Sequence, residues 1–215
     1  MMIKGILFDM DGVLVDSEEY ICKAAVLMFE RHGLTVKPED FIPFVGKGEN
    51  VYIGGVAEKY NCPVNIEEVK AETYSIYEEI VKGKLKALPG VFEFIKLAKN
   101  HHLKLAVATS ADEVKMNVNL SNIGLSSATF DANVNGLEVE RKKPFPDIFI
   151  LAAHKLGLKP EQCLVVEDAV SGVEAAKAAG CKCLGLTTSF SKEELKLADW
   201  ISNTLADAPS ECLEW

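Results

Sequence analysis

The sequence predicts an α/β protein in which a doubly wound parallel sheet carries an inserted helical segment. From Pro89 to the C-terminus, short apolar runs alternate with amphipathic helical patterns, as they do in parallel sheets that are covered by helices on both faces. Before that region, one apolar run at residues 6–8 is followed by about seventy residues of mostly helical pattern, which is more than a crossover between parallel strands needs.

The same patterns place the individual elements. Strands are expected at residues 3–8, 103–108, 130–134, 163–166, 183–186 and 200–201. Helices are expected at residues 18–32, 39–44, 51–60, 66–81, 91–99, 112–122, 145–156 and 170–179. The long helical stretch divides the chain into a core domain, residues 1–15 and 85–215, and an inserted helical domain, residues 16–84.

Composition indicates an acidic protein that is large enough to bury a sizeable core. The chain has 215 residues, of which 48% are hydrophobic and 26% charged. Its net charge of −9 argues against nucleic acid as a non-specific partner. Because the sequence shows no membrane-spanning run and no signal-peptide pattern, we expect a cytoplasmic location and no membrane partner. We also expect a monomer. Cys181 and Cys183 alternate within an apparent strand, so a shared strand face is favoured over a metal site.

Two carboxylates follow the first apolar run. Asp9 and Asp11 come directly after it, and Gly12 permits a sharp turn beside them. Ligands of open parallel sheets bind at the carboxyl ends of the strands, and buried carboxylates are costly there unless a cation joins them. A divalent cation would offset the free-energy cost of burying these carboxylates. Asp and Gly are also common in turns, so the pattern alone equally describes an acidic turn.

Polar residues follow two later apolar runs as well. Thr109 and Ser110 end one run just before a helix, where a hydroxyl and backbone N–H groups can hold an anion, although Thr109 could instead cap that helix. Glu167 and Asp168 end another run that is wholly apolar. Such a run is typical of a central strand, where acidic pairs seldom lack a partner.

One lysine has the position needed to offset these acids. Lys143 precedes Pro144, which disfavours a helical conformation at Lys143 and lies just before a predicted helix. This gives one ammonium group a defined direction. In the helical insert, a glycine-rich turn at residues 45–50 presents Lys47, Glu49 and Asn50 as polar tips. It is a plain helix connection unless it faces the site, in which case it is a candidate substrate-contacting loop.

Four motifs occur in an order that resembles the haloacid dehalogenase (HAD) superfamily: Asp9-x-Asp11-Gly12, Thr109-Ser110, Lys143-Pro144 and Val166-Glu167-Asp168. The sequences around them narrow the resemblance to the β-phosphoglucomutase-like phosphatases with a helical cap. It spans nearly the whole chain and is loosest in the helical insert. The resemblance implies a Rossmann-like core, an inserted helical cap domain, and a magnesium-dependent phosphatase that acts on a small phosphate monoester such as a sugar phosphate.

The resemblance also implies roles for the acidic residues. Asp9 would be the nucleophile that forms an aspartyl-phosphate, and Asp11 would be the general acid and base. Mg²⁺ would bind Asp9, the backbone carbonyl of Asp11, and Asp168, with Glu167 either a ligand or a residue behind the ligands.

The phosphate-binding roles fall on three other motif residues. Thr109, the backbone N–H of Ser110, and Lys143 would hold the phosphoryl oxygens. Lys47, Glu49 and Asn50 would set substrate preference.

A phosphosugar mutase remains the alternative reaction. β-Phosphoglucomutases carry a histidine where this chain has Ile21, and a phosphate-holding arginine where it has Glu49. An acid there would repel a second phosphate, which favours a phosphatase. Two non-enzyme classes, a phosphorylated signalling receiver and a catalytically silent binding protein, would share these residues. Receivers, however, place the phosphorylated aspartate on a later strand and lack a long helical insert.

Overall fold

Six parallel strands form one sheet in the computed structural model, which describes residues 2–215. The strands are β1 Gly5–Phe8, β2 Lys104–Ala108, β3 Ala132–Val134, β4 Cys163–Glu167, β5 Lys182–Leu186 and β6 Trp200–Ser202. Their spatial order is β3-β2-β1-β4-β5-β6, and every neighbouring pair is parallel. The predicted fold class is therefore confirmed.

Seven α-helices accompany these strands within the described residues. They are α1 Glu18–Arg31, α2 Glu49–Lys59, α3 Ile66–Val81, α4 Val91–Asn100, α5 Glu113–Asn122, α6 Asp147–Lys155 and α7 Val170–Ala179. Short 3₁₀ helices occupy Pro38–Asp40, Ile42–Phe44, Ser127–Thr129, Gly136–Glu138, Pro160–Gln162, Leu205–Asp207 and Ser210–Leu213. Across residues 2–215, no helix has both the length and the apolar character to cross a bilayer.

The helix predicted at residues 39–44 is not formed. Two 3₁₀ helices stand in its place, one on either side of Phe41. Pro43 explains the break, because proline has no N–H to donate and disfavours the α conformation in the residue before it.

Helices cover both faces of the sheet, and β1 shows how the sequence specifies this. Ile6 and Phe8 are fully buried in a hydrophobic cluster that includes side chains of α4 and α5. Leu7, which points to the opposite face, is fully buried in a second cluster with side chains of α6 and α7. A strand buried on both faces needs a continuous apolar run, as observed here.

The helical segment α1–α3 is inserted at the carboxyl end of β1. The chain departs after Val15 and returns at Ala87, which forms an antiparallel bridge with Val15. Beside it, the Leu88 N–H donates a hydrogen bond of 3.0 Å to the Leu14 carbonyl. Helix α3 packs against α1 and α2, and also against α5 of the core. The division into two domains at residues 16 and 84 stays a prediction.

Candidate active site

A cavity of about 780 Å³ opens at the carboxyl ends of the central strands. It contains every residue that the sequence predicts for catalysis, metal binding and phosphate binding: Asp9, Asp11, Thr109, Ser110, Lys143, Glu167 and Asp168. Strand β1 pairs with both β2 and β4, so the residues that follow these three strands meet at one edge of the sheet. The predicted strand-end residues are therefore neighbours in space.

Three carboxylates lie together in this cavity, and we call them the carboxylate trio: Asp9, Glu167 and Asp168. Each offers an oxygen atom within 4.8 Å of the oxygens offered by the other two, and all three residues are buried. The Lys143 ammonium lies 2.6 Å from Asp9 Oδ1 and also contacts Glu167 Oε1. With all four groups ionised, the trio and Lys143 carry a net charge of about −2, which a divalent cation would balance.

Burial and mutual repulsion affect the ionisation of this group. Desolvation raises the pKa of Asp9 to about 7, although Lys143 opposes the shift. Desolvation also raises the pKa of Asp168 well above its usual value, and the nearby carboxylates of Glu167 and Asp9 add to the shift. For Lys143, burial disfavours the charge, but Asp9 and Glu167 outweigh burial and raise its pKa. The trio thus has an excess of negative charge that Lys143 alone does not offset.

Neighbouring groups fix the orientation of the trio. The backbone N–H groups of Asp168 and Ala169 each donate a hydrogen bond of 2.9 Å to Glu167 Oε2. The Ser189 hydroxyl donates to Asp168 Oδ2, and Thr188 Oγ1 lies 3.5 Å from the same oxygen. Sequence reasoning missed Ser189 and Thr188. The signal that could have found them is their position just after β5, at the same edge of the sheet.

Gly12 is required by the close approach of the chain to Asp168. Its φ of +76° lies in the left-handed region, and a Cβ at this position would be 1.8 Å from Asp168 Oδ2. The Thr188 hydroxyl donates a hydrogen bond of 2.6 Å to the Gly12 carbonyl. The turn predicted at Gly12 therefore brings the first motif against the fourth.

Both oxygens of the Asp11 side chain accept hydrogen bonds from residues outside the trio. Its Oδ2 accepts a hydrogen bond of 2.8 Å from Lys115 Nζ, and its Oδ1 accepts one from the Ser17 hydroxyl. Lys115 is buried, and its Nζ also lies 3.8 Å from Glu49 Oε1. Burial disfavours its charge, but Asp11 and Glu49 outweigh that effect and raise the pKa of Lys115 well above its usual value.

Sequence reasoning missed Lys115 altogether. It lies within α5, where a lysine is ordinarily a solvent-exposed residue. The sequence offers only a weak signal, which is that Lys115 and Asn119 are four residues apart and so share one helix face. The structure shows that both residues are buried.

The structure resolves the alternatives for Thr109. Asp112, not Thr109, is the N-cap residue of α5. Thr109 is almost fully buried, and its Oγ1 accepts a hydrogen bond of 3.1 Å from the Ala111 N–H. Ser110 is half-buried and lines the cavity. Both residues therefore lie beside the trio, where an anion-binding role stays a prediction.

The predicted turn at residues 45–50 ends earlier than expected. Gly48, with a φ of +84°, precedes α2, so Glu49 and Asn50 form its first turn. Glu49 is only 6% exposed and lines the cavity, whereas Lys47 and Asn50 are exposed and do not line it. The Asn50 side chain instead accepts a hydrogen bond of 2.8 Å from Lys70 Nζ. Of the three predicted specificity residues, Glu49 alone borders the cavity in this structure.

The chain matches a known protein family over most of its length. Residues 6–186 match the family model described as haloacid dehalogenase-like hydrolase. The chain is 42% identical over 197 residues to the protein SUPPRESSOR OF QUENCHING 1, chloroplastic, of Arabidopsis thaliana. The matched region is 90% of this chain but only 19% of that protein. This chain thus spans about a fifth of the length of that relative.

Two further relatives match over most of their own length. The chain is 32% identical over 178 residues to a phosphorylated carbohydrates phosphatase of Thermotoga maritima, covering 83% of this chain and 82% of that one. A crystal structure of a CbbY mutant from Rhodobacter sphaeroides, in complex with xylulose-(1,5)bisphosphate, has a TM-score of 0.88 at 27% identity and covers 100% of both chains.

Proposed function

The chain belongs to the haloacid dehalogenase-like hydrolase family, in its β-phosphoglucomutase-like branch, and we propose that it is a magnesium-dependent phosphatase of a small phosphate monoester. The observation that carries this proposal is the contact between Lys143 and Asp9, one of the three acids of the carboxylate trio. A carboxylate beside one ammonium group and further acids suits attack on a phosphoryl group. The named activity of the Thermotoga maritima relative supports a sugar phosphate or similar metabolite as substrate.

The donor set of the trio fits Mg²⁺. Carboxylate oxygens are the ligands this ion prefers, and the excess negative charge of the trio calls for a divalent cation. Both Glu167 oxygens already accept hydrogen bonds, from Lys143 and from two backbone N–H groups. We therefore assign the ion to Asp9, Asp168 and the backbone carbonyl of Asp11, with Glu167 orienting the site. When bound, Mg²⁺ would offset the negative charge of the phosphoryl group.

Asp9 and Asp11 would share the chemistry of the first step. An Asp9 carboxylate oxygen attacks phosphorus, the ester P–O bond breaks, and Asp11 gives a proton to the departing oxygen. The products are the free alcohol and an aspartyl-phosphate at Asp9. Water then attacks the phosphorus and loses its proton to Asp11, which releases phosphate and restores the Asp9 carboxylate.

The Asp11 carboxyl group would have to move in order to act in this way. In this structure it is held by Lys115 and by the Ser17 hydroxyl. Its proton transfer therefore requires the Lys115 contact to break or lengthen. Because Lys115 also faces Glu49 in α2, the position of the helical segment and the position of Asp11 are linked through one buried ammonium group.

Three residues would bind the phosphoryl oxygens. Lys143 supplies a buried positive charge next to Asp9, where it can stabilise charge that develops during transfer. Thr109 and Ser110 lie at the end of β2 and line the same cavity, so a hydroxyl and a backbone N–H are available from a second direction.

The proposal is tested by measuring phosphate release from p-nitrophenyl phosphate and from a panel of sugar and polyol phosphates, with Mg²⁺ and with EDTA. We expect release that needs Mg²⁺ and is lost in Asp9→Asn. Absence of release from every ester, or full activity of Asp9→Asn, would overturn the proposal. Conversion of β-glucose 1-phosphate to glucose 6-phosphate, without net phosphate release, would instead indicate the phosphosugar mutase.

A further inference from the structure

We propose, building on the phosphatase function above, that a buried chain of hydrogen bonds positions Asp11, the general acid of that reaction. The chain runs from the Tyr77 hydroxyl through the Asn119 side chain to the Ser17 hydroxyl, and we call these three residues the Asp11 relay. Tyr77 and Asn119 thereby become positioning residues, which act through Ser17 and do not touch the substrate.

Every hydrogen bond of the Asp11 relay donates in the direction of Asp11. The Tyr77 hydroxyl donates to Asn119 Oδ1, and Asn119 Nδ2 donates to Ser17 Oγ at 3.4 Å. The Ser17 hydroxyl has a single proton, and because its oxygen accepts from Asn119, that proton is available to Asp11 Oδ1. Hydrogen bonds in such a sequence polarise one another, which strengthens the last of them.

The relay is separated from solvent and from the substrate cavity. Ser17, Tyr77 and Asn119 are each 0% exposed, and none of the three is among the residues that line the cavity. A set of apolar residues of the same shape could replace such hydrogen-bonded partners with little loss of stability. Packing alone therefore does not account for three polar side chains that converge on Asp11.

Three different elements contribute to the relay. Ser17 is the N-cap residue of α1, Tyr77 lies on α3 of the helical segment, and Asn119 lies on α5 of the core. Helix α3 packs against both α1 and α5. The hydroxyl group that reaches Asp11 is therefore held by a second set of hydrogen bonds on packed helices, the arrangement that keeps a catalytic group in one geometry.

The relay determines how the Asp11 carboxyl group moves during the reaction. Proton transfer requires Asp11 Oδ2 to leave Lys115, whereas Oδ1 can keep its hydrogen bond to Ser17. The carboxyl group then turns about Oδ1, and Oδ2 is the oxygen that carries the proton to the departing alkoxide. Without the relay this pivot is lost, and Asp11 spends less time in the orientation that donates a proton.

The test compares an ester that needs a general acid with one that does not. Glycerol 2-phosphate, or whichever alkyl ester of the panel above the wild type hydrolyses fastest, releases an alkoxide that must be protonated, whereas p-nitrophenyl phosphate releases a stable phenolate. The quantity measured is kcat/KM, which covers the steps up to release of the alcohol and leaves out hydrolysis of the aspartyl-phosphate. We expect Tyr77→Phe to reduce kcat/KM about tenfold or more for the alkyl ester and less than about threefold for the aryl ester, because general acid catalysis is worth roughly 10²- to 10⁴-fold.

Two further variants test whether the relay acts as a unit. Ser17→Ala removes the hydrogen bond to Asp11 directly and should give the same selective loss, and adding Tyr77→Phe to it should reduce kcat/KM no further. Additive losses in that double variant would show that Tyr77 does not act through Ser17 and would overturn the relay. Asn119→Leu, which has nearly the same shape but no polar side-chain atom, breaks the relay at its middle and replaces Tyr77→Phe if that variant fails to fold.

Tyr60→Phe is the matched control. The Tyr60 hydroxyl donates a hydrogen bond of 2.6 Å to Asp40 Oδ2, also within the helical segment, and Tyr60 does not border the cavity. Both tyrosine variants lose a hydrogen bond, but Tyr60→Phe should leave the ratio of the two kcat/KM values unchanged. Equal losses for both esters in Tyr77→Phe, or no loss for either, would indicate a structural role alone and overturn the inference.

The wild-type protein separates this inference from the proposed function. If it releases phosphate from both esters and Tyr77→Phe keeps the wild-type ratio, the phosphatase function stands and the relay inference is wrong. If it hydrolyses the aryl ester but no alkyl ester, Asp11 protonates no leaving group, and the relay inference is again overturned. If it releases phosphate from neither kind of ester, the phosphatase function fails, and the relay inference fails with it.

Discussion

The Lys143 ammonium lies 2.6 Å from Asp9 Oδ1, although 134 residues separate the two in the chain. Asp9 follows β1, and Lys143 lies in the loop before α6. The contact places one positive charge against the acid that we propose as nucleophile. Burial and the nearby carboxylates of Glu167 and Asp11 disfavour the ionised form of that acid. Lys143 therefore favours the charged form of Asp9, and in the proposed mechanism it would also contact the phosphoryl group.

Replacing Lys143 should impair catalysis strongly. In Lys143→Met, we expect kcat for a phosphate ester to fall roughly 10²- to 10³-fold, because a positioned charge beside the reacting group is lost. Steady-state kinetics with p-nitrophenyl phosphate would measure this. Lys96→Met, at an exposed position on α4, is the control and should be nearly as active as the wild type. Normal kcat in Lys143→Met would show that the Asp9 contact has no catalytic role.

Much of this site could be predicted because strand ends are visible in sequence. The apolar run before Asp9 and the one before Glu167 have the pattern of strands that are buried on both faces, and parallel strands bring their carboxyl ends together. β1 and β4 do pair as neighbours, and their following acids converge. The apolar strand pattern and the rule that parallel strands bring their carboxyl ends together were sufficient to predict that these acids meet.

The partners of these acids could not be predicted in the same way. Lys115 contacts Asp11 across 104 residues, and Ser189 contacts Asp168 across 21. A lysine in a helix and a serine in a loop are both common on surfaces. Ser189 follows β5 and so carries a weak strand-end signal, whereas only tertiary packing reveals the role of Lys115. Glu49 was expected as a loop tip, whereas the loop ends one residue before it at Gly48, which has a φ of +84°.

Magnesium binding should stabilise the folded protein. A ligand present at 100 times its Kd adds about 2.7 kcal/mol to the free energy of unfolding, which should raise Tm by several degrees. Thermal unfolding with and without Mg²⁺ would detect this shift. Asp168→Asn should lose most of it, whereas Asp16→Asn, which changes an exposed acid at the same cavity, should keep it. An identical shift in all three proteins would place the ion elsewhere.

Loss of Lys115 should destabilise the fold. Lys115→Met leaves the partly buried carboxyl group of Asp11 and the buried one of Glu49 without their cation. Breaking a buried ion pair costs about 3–5 kcal/mol of unfolding free energy, and urea denaturation would measure the loss. The double variant Lys115→Met/Asp11→Asn should recover part of it, since one unpaired charge is removed. A double variant that is less stable than Lys115→Met would contradict this account.

The helical segment should owe part of its stability to Asp40. The carboxylate accepts hydrogen bonds from Lys59 Nζ at 2.5 Å, Tyr60 Oη at 2.6 Å and the Lys37 N–H at 2.8 Å. These contacts hold the pKa of Asp40 well below its ordinary value of 3.8. Their stabilising effect is therefore complete above that ordinary value and is lost as the pH falls through the lower pKa of the folded state.

Asp40→Asn should consequently be less stable than the wild type at pH 7, and the difference should shrink as the pH falls below about 4. Denaturant midpoints at a series of pH values would follow this change. Glu39→Gln, at the exposed neighbouring residue, should show little difference at either pH. A difference for Asp40→Asn that is constant between pH 7 and pH 3 would contradict the assigned contacts.

The central claim is that Asp9 takes up the phosphoryl group, and trapping that adduct tests it most directly. The protein would be mixed with substrate and Mg²⁺, quenched within one turnover and treated with borohydride, which reduces an aspartyl-phosphate to homoserine. Peptide mass spectrometry would then locate the modified residue. The account predicts homoserine at position 9, dependent on substrate and absent from Asp9→Asn. Reduction at another aspartate, or turnover by a protein whose Asp9 is never modified, would contradict it.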